Sequence, residues 1–380
     1  MVEGPPQASA AERERLAADF VRLCEVESPS RRERAVADLV AAELRAVGLQ
    51  VDEDASAART GSDAGNLLAR IPGPPGTPTV LLCAHLDTVP LTAPVEVLRD
   101  NGRFTNRNEG ILGADNKAAV AVLLAVARRF AASGAPVGIE LLFTTCEEIA
   151  LLGAKELTHE LQADFGFVFD HATPLGDLIV AAPSYYRVEA HVHGAAAHAG
   201  IRPEAGHNAI SAAAEAIASM SLGRIDDETT ANVGTIRGGT AANVVAERCI
   251  VTLEARSLDD AKAGDAVSGI VDAFTEAAAD MECDVETIVE RLFRAYRLPS
   301  GSPPVVAASA ALTALGIEPR PIATGGGSDA NVFVAKGIPV VNVADGTVGN
   351  HQRDESITVA TLESVLDLAL GILGGSANAG

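Results

Sequence analysis

The chain has 380 residues, of which 48% are apolar, with 35 Gly and 19 Pro. That composition belongs to a globular protein rather than a disordered one, and the length favours two domains over a single core. A formal charge of −22 argues against nucleic acid and against anionic membrane surfaces as partners.

Five scattered cysteines (Cys24, Cys83, Cys146, Cys249 and Cys283) lack CxxC spacing and read as reduced thiols, so a cytoplasmic location is expected. The opening MVEGPPQASAAERERL has no basic start leading into an apolar run, so no signal peptide is expected. No charge-free apolar stretch of about 18 residues offers a spanning helix.

Helical periodicity covers 11–27 and 31–48, broken by Ser28-Pro29-Ser30 and closed by Gly48. Strands are expected at Gln50–Asp52, Asn66–Ile71 and Thr79–Cys83, the last two separated by the PGPPGTP turn at 72–78. A buried helix follows over Asn116–Ser133, a strand over Gly138–Thr145, a helix over Leu151–Leu161 and a strand over Phe165–Asp170. Helices alternating with near-continuous apolar strands predict a mostly parallel sheet covered on both faces. The texture then changes. Tyr186–Gly194 and Ile250–Arg256 alternate polar with apolar, while 208–221 and 260–280 read as amphipathic helices. These describe a small α+β unit whose sheet has one open face. After residue 297 the α/β texture returns at Val305–Leu315, Val332–Ala335, Pro339–Val343 and Leu362–Leu373, ahead of a disordered tail at 374–380. The expected organisation is a discontinuous α/β domain, 1–183 and 297–380, with an α+β domain inserted at 184–296.

Candidate chemistry collects where apolar strands end. LLCAHLDTVP (81–90) delivers His85 and Asp87 at i and i+2, which point the same way from an extended segment. Strand C-termini are where open α/β sheets bind ligands. In GILGADNKAAV, Asp115 lies in a Gly-rich turn before a helix; it can cap that helix or use its two oxygens to bridge cations. LLFTTCEEIALLG (141–153) ends in adjacent acids, an awkward pairing unless a cation compensates or one pKa is raised. A division of labour fits, with Glu147 accepting a proton from water and Glu148 binding metal. FVFDHATP ends in Asp170, and His351 follows the strand PVVNV. A His and carboxylate set without Cys suits Zn²⁺, with Co²⁺ or Mn²⁺ able to substitute. Two ions sharing Asp115 would polarise a carbonyl and activate water.

Taken together, HLDTVP (85–90), GADNKAA (113–119), TTCEEIALLGAK (144–155), Asp170 and His351 resemble the M20 metallopeptidases, most closely their peptidase T-like group, over essentially the whole chain. The resemblance implies a three-layer, zinc-exopeptidase-like catalytic domain with an inserted lid and dimerisation domain, through which a homodimer would form. It implies two zincs per chain: His85 and Asp170 on one, Glu148 and His351 on the other, Asp115 shared and followed by a cis peptide. Glu147 becomes the general base, and Asp87 the residue that orients His85. Two positions bear on the match. Asn116 stands where relatives usually carry a second Asp, and Asp170, rather than Glu, resembles aminopeptidases and dipeptidases.

HGAAAHAGIRPEAGHNAI (193–210) is similar to the lid signature, which gives His198 the role of a donor to the oxyanion; taken alone, it reads as a turn residue. Asn243 and Arg256 match lid positions that contact substrate, the Arg through a carboxylate. Gly326 and Gly327, in GGGSDAN, offer backbone amides to a carboxylate or simply a tight turn. His191 and His193 read as structural, His171 as a bystander, and Lys117 as a counter-charge to nearby acids. The expected activity is cleavage of short peptides as an aminopeptidase or tripeptidase. The alternatives are an N-acyl-amino-acid amidohydrolase with the same metal site and a non-catalytic binding protein.

Overall fold

A computed structural model describes residues 7–377. The chain divides into two compact units, one formed by 1–180, 298–323 and 328–380, the other by 181–297 and 324–327.

The sheet of the first unit runs in the order Val51–Glu53, Leu67–Ile71, Gly138–Thr144, Thr79–His85, Phe165–Phe169, Val340–Val343 and Asp177–Ala182. Its four central strands, from Gly138–Thr144 to Val340–Val343, are mutually parallel. The flanking strands Leu67–Ile71 and Asp177–Ala182 pair antiparallel. The parallel strands are buried along almost their whole length, which is why their sequences show no alternation. Helix Ala114–Ser133 lies against them with 15 residues buried, from Ala114 through Phe130. Its AAVAVLLAVA run has no polar face to turn outward.

Two expectations for this unit need correction. The helix expected over Leu151–Leu161 is only Leu152–Lys155. Beyond it, buried carboxylates capture amides that a helix would use: Asp54 accepts from Thr158 N at 2.9 Å, and Glu140 from Gln162 N and Ala163 N at 3.0 Å each. The tail expected at 374–380 starts as helix, because Val359–Ser376 continues to its third residue; residues 378–380 lie outside the described residues. That same helix is long and apolar enough, by composition, to cross a membrane. It packs instead against Pro303–Ala314 and Ala114–Ser133, and its two acids, Glu363 and Asp367, pair with Arg13 at 2.9 and 2.6 Å.

The second unit is a five-stranded antiparallel sheet in the order Gly223–Arg224, Thr229–Gly238, Arg248–Ser257, Ser184–His193 and Asp284–Phe293. Helices Ala209–Ser219 and Asp260–Asp280, capped by Asn208 and Asp259, cover one face. Val188, Ala190, Val192, Val251, Leu253 and Ala255 are buried beneath them. The alternate residues Glu189, His191, Thr252, Glu254 and Arg256 are only partly buried. The strands Thr229–Gly238 and Asp284–Phe293 escape a sequence reading. The first is interrupted by Gly234 at a register shift, and the second is a charged edge strand.

Candidate metal centre

His85 ends its strand 2% exposed. Its Nδ1 lies 3.0 Å from the Asp87 carbonyl, which can only accept, so Nδ1 carries a proton and Nε2 faces the acids. Nε2 is 3.1 Å from Asp115 Oδ1 and 3.8 Å from Asp170 Oδ1. The other oxygen of Asp115 turns the opposite way, 3.3 Å from His351 Nε2, and accepts from Asn350 Nδ2 at 3.0 Å. His351 Nε2 is also 2.9 Å from Glu148 Oε1. Asp115 thus faces one imidazole with each oxygen.

The possibility that Asp115 caps its own helix is not realised. The N-cap is Gly113, with φ 76° and no side-chain cap bond, and Asp115 has a non-helical ψ of 104°. The Asp115–Asn116 peptide is cis, and Asn116 Nδ2 donates to the Phe169 carbonyl at 2.7 Å.

Asp87 is fully buried, and it does more than orient His85. Its Oδ1 accepts from Glu147 N at 2.9 Å; its Oδ2 accepts from Glu148 N at 3.1 Å and from Ser30 Oγ at 2.7 Å. The carboxylate contact to His85 Nδ1 is longer, at 3.4 Å. Asp87 therefore fixes the backbone from which both glutamates project. Asn342 does the same for Asp170, accepting from its N at 3.0 Å and donating to its carbonyl at 2.8 Å. Lys117, 1% exposed, donates to Ser28 Oγ and, at 2.8 Å, to the Leu86 carbonyl. Sequence reasoning missed Asn342, Asn350, Ser30 and Glu355, whose partners all lie far away in the chain.

Ligand atoms of two trios, His85–Glu147–Asp170 and His85–Asp115–Glu148, lie within 4.8 Å of one another. Such crowding of acids has electrostatic consequences. Burial raises the Glu147 pKa well above the usual carboxylate value, and the charge of Asp170 adds to it. Burial, then the charge of Asp115, pushes Asp170 to about 7. Burial resists charging His85, yet bonds to Asp115, Asp170 and Asp87 outweigh it and raise its pKa. Asp115, then Glu148, raise His351 to about 10. Asp115, Glu148 and Asp170 pair with the imidazoles of His85 and His351. A set of two imidazoles and four carboxylates crowded into one buried place fits divalent cations of the Zn²⁺ type.

The remaining candidates lie in the second unit. His198 is exposed, its Nδ1 accepts from Gly200 N at 3.2 Å, and the next amide, Ala199 N, donates to the Asn243 carbonyl at 3.0 Å. Arg256 is held on every side. Its Nε and Nη2 donate to Glu254 at 3.2 and 3.1 Å, Nη1 donates to the Gly325 carbonyl at 3.2 Å, and its guanidinium carbon lies 4.0 Å from the Tyr185 ring centroid. Gly326 N donates to Thr324 Oγ1 at 3.2 Å; at Gly327, a Cβ would meet the Phe293 ring at 2.3 Å. His171 is half-buried, and burial lowers its pKa.

Strand ends that bring His and carboxylate side chains together at one edge of a parallel sheet suit a metal-dependent hydrolase. The chain belongs to peptidase family M20/M25/M40, whose profile matches residues 81–373. An uncharacterised Bacillus subtilis protein, YqjE, is 35% identical over 94% of this chain and 97% of its own. Among solved structures, aminopeptidase PepT from Bacillus cereus superposes with a TM-score of 0.89 at 36% identity, covering 96% of this chain and 99% of that one. A tripeptidase from Staphylococcus aureus gives 0.92 at 32%, covering 96% and 98%.

Proposed function

We propose that this chain is a two-zinc aminopeptidase or tripeptidase that hydrolyses an amide bond of short peptides with a free N-terminus. The observation that carries the reading is the split of the Asp115 carboxylate between His85 and His351, as a shared ligand requires. One ion would rest on His85 and Asp170, the other on Glu148 and His351. Two such ions supply Lewis-acid polarisation of the scissile carbonyl and an acidified water.

The protein's own residues do the rest. Glu147 is buried beside Asp170, whose charge adds to burial in raising its pKa. Its raised pKa suits a group that takes a proton from water and passes it to the leaving amine near neutral pH. Asp87 keeps Glu147 and Glu148 in register by holding both their amides. His198 donates to the developing oxyanion. In the same reading the substrate's terminal carboxylate falls to Asn243, Arg256 and the amides of Gly326 and Gly327, which requires Arg256 to exchange its bonds to Glu254 and Gly325, and Gly326 N its bond to Thr324, for the substrate. The names of the PepT and tripeptidase relatives support peptides over acylated amino acids, and the five unpaired, buried cysteines accord with a cytoplasmic location. Assembly as a homodimer through the second unit belongs to the same reading.

The test is metal content measured alongside hydrolysis of a tripeptide and its N-acetylated twin. About two zincs with cleavage of the free peptide alone is expected. Cleavage of the blocked compound alone would replace this reading with an N-acyl-amino-acid hydrolase. Glu147→Ala should keep both ions and lower kcat by about 10²–10⁴-fold; near-normal turnover would remove Glu147 as the base.

A further inference from the structure

Glu355 lies four residues beyond His351 and is 2% exposed. Its Oε2 accepts from Leu112 N and Gly113 N, both at 2.8 Å, and its Oε1 accepts from Asp115 N at 2.9 Å. These amides lead into helix Ala114–Ser133, where the first turn leaves N–H groups without intrahelical partners. An Asp beside such amides can turn its own carboxylate onto them. Here a carboxylate from 240 residues away does so, and both oxygens of Asp115 are left facing His85 and His351.

We propose that Glu355 is a positioning residue that caps the Asp115 helix in place of Asp115, freeing that side chain to bridge two ions. It also ties the Leu112–Asp115 turn to the segment that carries His351, so that the two ligands approach as one piece. This inference rests on the reading of Asp115 as a shared ligand, but the capping itself can be tested without metal.

Glu355→Gln keeps the size of the side chain and sets an NH₂ against at least one of the three N–H groups. The control is Glu140→Gln, which alters another buried carboxylate that accepts two backbone amides and pairs with Arg70, at the start of strand Gly138–Thr144 and so at the end away from Glu147 and Glu148. Amide exchange at residues 112–115 in metal-free protein, and Co²⁺ titration followed by visible absorption, provide the readouts. In Glu355→Gln, exchange at 112–115 should accelerate and Co²⁺ affinity should fall about 10–100-fold. Glu140→Gln should leave both unchanged even where its Tm drops. Should Glu355→Gln not fold, Glu355→Asp keeps the charge, withdraws it by one methylene, and should move both readouts the same way by less. Wild-type exchange and affinity in the Glu355 variant, or equal shifts in the Glu140 variant, overturn the inference. Fewer than two Co²⁺ in the wild type would instead refute the two-ion reading, leaving amide exchange to decide whether Glu355 holds the turn.

Discussion

Replacing Asp87 with Asn changes one atom and removes a negative charge at the point where two strand ends meet. At present its two oxygens accept from Glu147 N, Glu148 N and Ser30 Oγ, at 2.9, 3.1 and 2.7 Å, with no exposure to solvent. A hydrogen bond to a charged group contributes about 1.5–3 kcal/mol, and a buried donor left unmet costs about 1–3 kcal/mol. Asn keeps one accepting oxygen and sets an NH₂ against the amide of Glu147 or Glu148. One charged bond is lost and one buried N–H is stranded, so the variant should lose about 3 kcal/mol. In a unit of this size that lowers Tm by roughly 6 °C. Both glutamates hang from the disturbed backbone, so turnover at saturating metal should fall about 10–100-fold. Thermal unfolding with and without metal, together with kcat on a tripeptide, measures both effects. A destabilised Asp87→Asn that retained full turnover would refute the claim that Asp87 aligns the glutamates, and an unchanged Tm would refute the bonding argument itself.

Chelation should abolish hydrolysis and lower Tm, because ions bound only by the folded state add about 2.7 kcal/mol at a hundredfold excess over Kd. Restoring Zn²⁺ to the metal-free protein at pH 7 should release protons, since the acids around them raise His351 to about 10 and raise His85 as well, and a metal ligand must shed its proton; uptake without proton release would contradict the raised values. Burial opposes the charge of Glu43, yet Arg128 and Arg22 lower its pKa from 4.5 to about 2. A folded-state pKa below the unfolded one stabilises fully above about 4.5 and is lost as pH falls toward 2. Glu43→Gln should therefore cost about 1 kcal/mol at pH 7 after solvent screening, and less at pH 3 by urea unfolding; an equal cost at both would exclude the linkage. Phe274 is 1% exposed beneath the second sheet. Phe274→Ala should cost about 3–5 kcal/mol, and a loss under 1 kcal/mol would show that the core closes over the gap.

What could be read from the chain alone was what neighbouring residues decide among themselves. The runs expected as strands at Thr79–Cys83, Gly138–Thr145, Phe165–Asp170 and Pro339–Val343 announced buried strands because they are mostly apolar, with Glu140 and Asn342 as interior polar exceptions. Acids and histidines next to those runs stood out because an α/β sheet presents its strand ends at one edge, and the folded chain gathers His85, Asp115, Glu147, Glu148, Asp170 and His351. Tertiary structure decided everything that depends on a partner distant in sequence. Asp54 and Glu140 ended the helix expected at 151–161 by taking amides about 20 to 100 residues away. Val359–Ser376 became a core helix through the faces of two others. Asp115 could cap or bridge as far as its own segment shows. It was left free to face two histidines because Glu355 takes the local amides first, and a buried N–H must be met by whichever acceptor the fold brings within reach.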